Sequence, residues 1–271
     1  YGETGPDRDR PGFDVTAYFG RSGILDAARY EGGPPGLSLP AQGDRATAMS
    51  LVAAVLLGLR QRDRTGKGCW VGTSLYANGV WANATSAAGA LVGAQLPPRQ
   101  APDKPRNALT NLYRTRDDRW LQLLMVRDDR LWPTLCKAIE RPDLADDPRF
   151  TERADRRSRA LELAQELMPV FASRTYAEWE KILAGTGIPF GVVGRLADVV
   201  QDEQAEHAGI FAGTTNPDIP RTVNNPIRLG FARPRQPGPP PSLGQHNEEV
   251  LREAGYVEAE IDALRKSGAL G

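Results

Sequence analysis

Apolar positions recur at helical spacing over much of the chain. The most apolar run extends from Ala46 to Leu59, interrupted by Thr47 and Ser50, and predicts a helix that opens near Gly43-Asp44 and ends in the turn "RTGKG" at 64–68. Leu131, Trp132, Leu135, Cys136 and Ile139 form an i, i+4 stripe after the acidic start signal Asp128-Asp129. A second stripe uses Leu163, Leu167, Val170 and Phe171. A third begins at Thr175, where Glu178 stands at capping-box spacing before Trp179, Ile182 and Leu183, and Gly185 and Gly187 end it. Leu196 to Gly209 reads as a further helix closed by its glycine, and Asn247 to Leu270 as two short helices around Gly255.

Strand patterns are fewer. "RWLQLLMV" at 119–126 follows a turn at Asp117-Asp118, and "IPFGVV" at 188–193 is expected to be a buried strand. Trp120, Trp132 and Trp179 each fall on an apolar stripe and are expected to anchor cores. Two proline-rich passages, "PPRQAPDKPR" at 97–106 and "PRQPGPPP" at 234–241, read as extended connectors. They suggest a large domain at 1–96, a linker at 97–106, a small α+β domain at 107–205, and a return segment with C-terminal helices at 206–271.

Composition narrows the function classes. Thirty-four basic residues balance thirty-four acidic ones, so no net field draws the chain to nucleic acid or to an anionic membrane. The 46–59 run is shorter than the ~18–20 residues of a membrane span. Cys69 and Cys136 are the only cysteines in 271 residues, a usage that suits free thiols in a reducing cytoplasm. His207 and His246 stand apart from both, so no metal site is expected. There is no G-x-S-x-G elbow, and neither a complete phosphate loop nor a dinucleotide fingerprint occurs.

Asp44 remains. Aspartate is a preferred helix N-cap, which by itself accounts for its place. The same position suits a nucleophile, because an ordinary aspartate is ionised at neutral pH and needs no helper base to attack a thioester. Gly43 would allow close backbone approach.

"YGETGPDRDRPGFD" at the start, Asp44, "RTGKG", "NLYRTRDDRWLQLLM", "ADDPRF", "GIPFGVV", "NPIRL" and "LGQHNEEVL" follow one another in an order that resembles the class III coenzyme A transferases, the CaiB/BaiF family. The resemblance implies an α/β protein comprising part of a Rossmann-like large domain plus a small α+β domain, in an interlocked homodimer. It implies transfer of CoA from an acyl-CoA thioester to a small carboxylic acid, with no tightly bound cofactor. Asp44 would carry the acyl group as an anhydride and then CoA as a thioester. Arg10, Pro11, Gly12, Phe13, Asp14 and Gly43 would lie beside bound CoA.

The sequence departs from the family in several places. Phe13 stands where α-methylacyl-CoA racemases of the family carry a histidine, and a phenylalanine cannot move a proton, so a transferase is favoured over a racemase-like isomerase. Ala48 and Gly72 replace a usual glycine and a usual acid, and "KPRNALT" replaces a glycine-rich loop. Members also carry a long segment before the opening motif, and the expectation is that this chain lacks it. A non-catalytic, oligomer-forming remnant is therefore a further alternative.

Overall fold

The computed structural model describes residues 1–95, 97–126, 128–232 and 235–270. Leu96, at the expected end of the first domain, and Pro234, at the start of the second proline-rich passage, lie outside the described residues. The chain divides into two compact units, Tyr1–Val193 and Gly194–Gly271.

The first unit opens with a π-helical segment, Asp14–Gly20, whose Ala17, Tyr18 and Phe19 are buried. Then come α1 (Ile24–Ala28), the long α2 (Gln42–Thr65), α3 (Leu75–Ala82) and α4 (Ala84–Leu91). α2 is rich in alanine, leucine and arginine, which are strong helix formers. Gly66, in the left-handed region at φ 69°, stops it. Two glycines bring these helices together. A Cβ on Gly79 of α3 would lie 2.2 Å from the Tyr18 carbonyl oxygen, and one on Gly43 of α2 would lie 2.2 Å from the Tyr18 ring. Ser50 donates its hydroxyl to Asn78 Oδ1 at 2.5 Å and ties α2 to α3.

The rest of the unit is a packed α+β body. Strand β1 (Thr110–Arg114) pairs antiparallel with β2 (Trp120–Leu124) through a turn in which Asp118 takes φ 59°; β2 then pairs antiparallel with β3 (Phe190–Val192). Alternation sends Asn111 and Tyr113 of β1, and Leu121 and Leu123 of β2, into the interior. Covering the sheet are α5 (Asp128–Ala138), α6 (Asp143–Asp146), α7 (Arg153–Ser158), α8 (Ala160–Ala172) and α9 (Tyr176–Leu183). Tyr113 stacks on Phe171 at 4.6 Å, Phe171 meets Trp179 at 5.1 Å, and the Trp179 indole N–H donates to the Phe171 carbonyl at 2.9 Å. The Thr175–Glu178 capping box is present at α9. Arg156, fully buried, donates to the carbonyls of Phe150 and Thr151 and to Asp129, and lies over the Trp132 ring.

The second unit holds α10 (Leu196–Val199), α11 (Glu203–His207), a hairpin of β4 (Phe211–Gly213) and β5 (Arg221–Val223), α12 (Asn247–Glu253) and α13 (Glu258–Lys266). The structure corrects three expectations. Leu196–Gly209 is two helices, because the Asp202 carboxylate accepts from the N–H groups of Gln204 and Ala205 and starts a new one. Within the 188–193 segment only Phe190–Val192 forms a strand, and it is an edge strand with Val192 exposed, since β2 flanks it on one side only. Trp120 is 39% exposed, because it lies on the outward face of β2; Trp132 and Trp179 are core residues. The strands β1, β4 and β5 were not anticipated. The architecture is mixed α/β, and every sheet among the described residues is antiparallel.

Burial pushes the Cys136 thiol up to about 12 from its ordinary 9.0. The unfolded chain therefore loses this proton first, so the stabilisation is complete below pH 9 and withdrawn as pH rises toward 12. Burial raises Tyr113 as well, and it adds to the loss at the alkaline end. Denaturant titrations should show stability falling across this range, and Cys136→Ala should flatten the fall by up to about 1.4 kcal/mol per pH unit.

Candidate active site

The candidate residues gather where α2 meets the π-helical segment. Asp44 is not the helix cap. Ala41 holds that position, in the left-handed region at φ 57° and with no side chain able to cap, and Asp44 is the third helical residue. It is exposed, and no hydrogen bond or ion pair from the described residues reaches its carboxylate. An acidic side chain in a first turn faces the positive end of the helix dipole, which favours its ionised form.

Gly43, one residue earlier, is the only buried residue of α2. Its N–H donates to Asp14 Oδ1 at 3.0 Å. A Cβ there would lie 2.3 Å from the same oxygen, so the contact requires glycine. Asp14 is 7% exposed, and its Oδ2 has no hydrogen-bond partner among the described residues. Phe13, beside it, is 67% exposed, and its N–H donates to Thr16 Oγ1 at 3.1 Å.

The remaining residues of the opening motif fold against one another. Asp7 pairs with Arg21 at 3.0 Å and with Arg10 at 4.0 Å, and the Arg10 guanidinium lies 5.1 Å from the centre of the Tyr1 ring. A Cβ on Gly12 would meet the Tyr1 nitrogen at 3.2 Å. Pro11 is exposed. The structure thus brings Asp14 and Gly43 together next to Asp44, while Arg10 is held by Asp7 and Tyr1.

A cleft of about 330 Å³ opens beside this junction, lined by Tyr18, Phe19, Gln42, Asn83 and Arg99 among others. A larger one, of about 530 Å³, shares Asn83 and Arg99 with it and adds Ser22, Asp26 and Arg29. Gln42, two residues before Asp44, reaches the smaller cleft; Asp44 lines neither, because its side chain leaves the helix on the open side. Sequence reasoning missed Gln42, Asn83 and Arg99 as lining residues. It also missed Gly79, although a glycine inside an apolar helical stretch signals close backbone approach.

His207 Nε2 lies 3.6 Å from Glu203, and both side chains are exposed. Cys69 and Cys136 are free thiols, exposed and buried respectively. Among the described residues no helix is long and apolar enough to cross a membrane.

Comparison with known proteins gives this geometry its context. CoA-transferase family III matches residues 1–247, and the chain belongs to that family. It is 31% identical over 270 residues to (R)-2-hydroxy-4-methylpentanoate CoA-transferase of Clostridioides difficile, covering 98% of this chain and 67% of that protein. It is 30% identical over 273 residues to succinyl-CoA:glutarate CoA-transferase of Mus musculus, covering 100% of this chain and 62% of that protein. The chain thus spans about two thirds of the length of these relatives. Among solved structures, a CaiB/BaiF family protein from Brucella suis shares the fold at a TM-score of 0.81 and 24% identity, over 93% of this chain and 65% of that one. Rv3272 from M. tuberculosis aligns at a TM-score of 0.75 and 26% identity, over 92% and 64%.

Gly43→Ala should force the first turn of α2 away from Tyr18 and Asp14, at a cost of about 1–3 kcal/mol for overpacking. Gly68→Ala is the control, because a Cβ there meets nothing within 4 Å. Thermal denaturation should show a lower midpoint for the first variant and no shift for the second.

Proposed function

We propose that this chain carries the acyl-accepting part of a CoA-transferase that works through Asp44. The observation that carries the reading is an exposed carboxylate, unclaimed by any described side chain, in the first turn of α2 of a family III chain. The substrates are proposed to be an acyl-CoA thioester and a small carboxylic acid. The relatives' names pair such substrates: succinyl-CoA with glutarate in one, and a 2-hydroxy acid in another.

The chemistry needs no base. A carboxylate oxygen of Asp44 attacks the thioester carbonyl, the carbon–sulfur bond breaks, and CoA leaves as a thiolate, giving a mixed anhydride. The thiolate then attacks the Asp44 carbonyl of that anhydride and releases the donor acid, which leaves CoA as a thioester on Asp44. The acceptor carboxylate attacks this thioester, expelling the thiolate and forming a second anhydride. Attack of the thiolate on the acceptor's acyl carbon yields acceptor-CoA and frees Asp44. Each charge displaced is matched by the one that arrives, so neither redox nor proton transfer is required.

Two further parts of the reading concern what faces Asp44. Leu51, Val52, Val55, Leu56, Leu57 and Leu59 are all exposed on α2, an apolar surface larger than a solvated helix keeps. We propose that it packs in an interlocked homodimer against a Rossmann-like large domain, and that the far wall of the site comes from that packing. The proposed placement of the enzyme is the cytoplasm.

The test is trapping. The intact protein incubated with succinyl-CoA and hydroxylamine should gain a hydroxamate at residue 44, found by peptide mass spectrometry. Asp44→Asn should keep the fold and lose at least ~10³-fold in CoA transfer to glutarate or (R)-2-hydroxy-4-methylpentanoate, as removal of a covalent nucleophile does. Unchanged turnover in that variant would remove Asp44 from the mechanism.

A further inference from the structure

Asp14 is the only carboxylate buried among the described residues. Burying a charged group is costly unless bonds replace its water. Yet among the described residues one of its oxygens has a single partner, the Gly43 N–H, and the other has none. So incomplete a compensation, kept in the tightest contact of α2, calls for a role beyond packing.

The amides of the first turn of α2 show what Asp14 does. Gln42 N–H donates to the Leu39 carbonyl at 3.3 Å, and Arg45 N–H to the Ala41 carbonyl at 3.1 Å. Gly43 N–H goes to Asp14, across 29 residues of chain. Asp44 N–H has no acceptor among the described residues. Ala41 offers no side-chain cap, so Asp14 supplies from the π-helical segment the capping oxygen that the helix lacks locally. The peptide group it holds precedes Asp44 directly, and the orientation of that group sets the direction in which the Asp44 side chain leaves the helix.

We infer that Asp14 is the positioning residue of Asp44: its carboxylate clamps the Gly43 peptide and thereby fixes the attack direction of the neighbouring nucleophile. The inference rests on the reading of Asp44 as the acyl acceptor. The clamp needs an acceptor oxygen of the right reach, which asparagine also provides. Alanine leaves the Gly43 N–H unbonded, and glutamate, one methylene longer, displaces it.

The experiment measures CoA transfer from succinyl-CoA to glutarate, and the rate of hydroxamate formation at residue 44, in the intact protein. Asp14→Ala should lower kcat and the trapping rate by about 10²-fold, the cost of a small misplacement of a reacting group, with the KM for succinyl-CoA changed less than about threefold. Asp14→Asn should restore both rates to within about fivefold of wild type. Asp14→Glu should behave like Asp14→Ala, and supplies the comparison should the alanine variant not fold. Added to Asp44→Asn, Asp14→Ala should lower activity no further. A folded Asp14→Ala or Asp14→Glu with wild-type kcat would overturn the inference, and so would an Asp14→Asn as impaired as the alanine variant. If Asp44→Asn is inactive while Asp14→Ala is not impaired, the positioning role alone fails. If Asp44→Asn retains turnover, the reading beneath it fails.

Discussion

The absence of a side chain at position 43 is the constraint on which the candidate site depends. With a hydrogen in place of a Cβ, the first turn of α2 approaches the π-helical segment closely enough for the Gly43 N–H to reach Asp14 at 3.0 Å, with the Tyr18 ring against the same backbone. Successive helical residues point about 100° apart. Fixing Gly43 inward therefore turns Asp44 toward the open side. This contact thus sets the first turn of a 24-residue helix and the exposure of the carboxylate beside it, while Ser50 ties the helix to α3. A π-helical turn is an uncommon element that recurs at functional sites, and here it supplies both surfaces that receive Gly43.

The two parts of the first unit use apolar residues in opposite ways. From β1 to β3 the stripes close on one another, and Tyr113, Phe171 and Trp179 form a continuous aromatic stack under the sheet. Along α2 the same kinds of residue face outward, and only Gly43 is buried. Hydrophobic burial drives the first arrangement without further help. The second has an unsatisfied surface, and that surface carries Asp44.

In the proposed mechanism the two aspartates would divide the work by environment. The proposed chemistry asks for one carboxylate that meets a thioester without a desolvation or partner penalty, and Asp44 is exposed and has no partner among the described residues. It also asks that this group be held in a fixed direction, which a flexible exposed side chain does not provide for itself. Asp14, buried and bonded to the adjoining peptide, would supply that restraint from a distant part of the sequence.

The helical stripes at 131–139, 163–171 and 175–183 were legible in the sequence because their periodicity, capping residues and terminal glycines are local signals. The turn at Gly66 and the choice of Asp44 as candidate were legible too, the second through the order of motifs along the chain. The strands β1, β4 and β5 were not, since each holds at most two large apolar residues, Leu112 and Tyr113 in β1, Phe211 in β4 and Val223 in β5, against the dense apolar run of β2. Nor did spacing reveal that Asp44 sits within the first turn of its helix and not at the cap, because the cap position fell to Ala41 in a left-handed conformation that alanine seldom adopts. The sequence alone determined which local elements form and which carboxylate to suspect. Tertiary structure decided that Asp14 is buried against Gly43, because a hydrogen bond across 29 residues depends on how two helices pack and leaves no periodic trace.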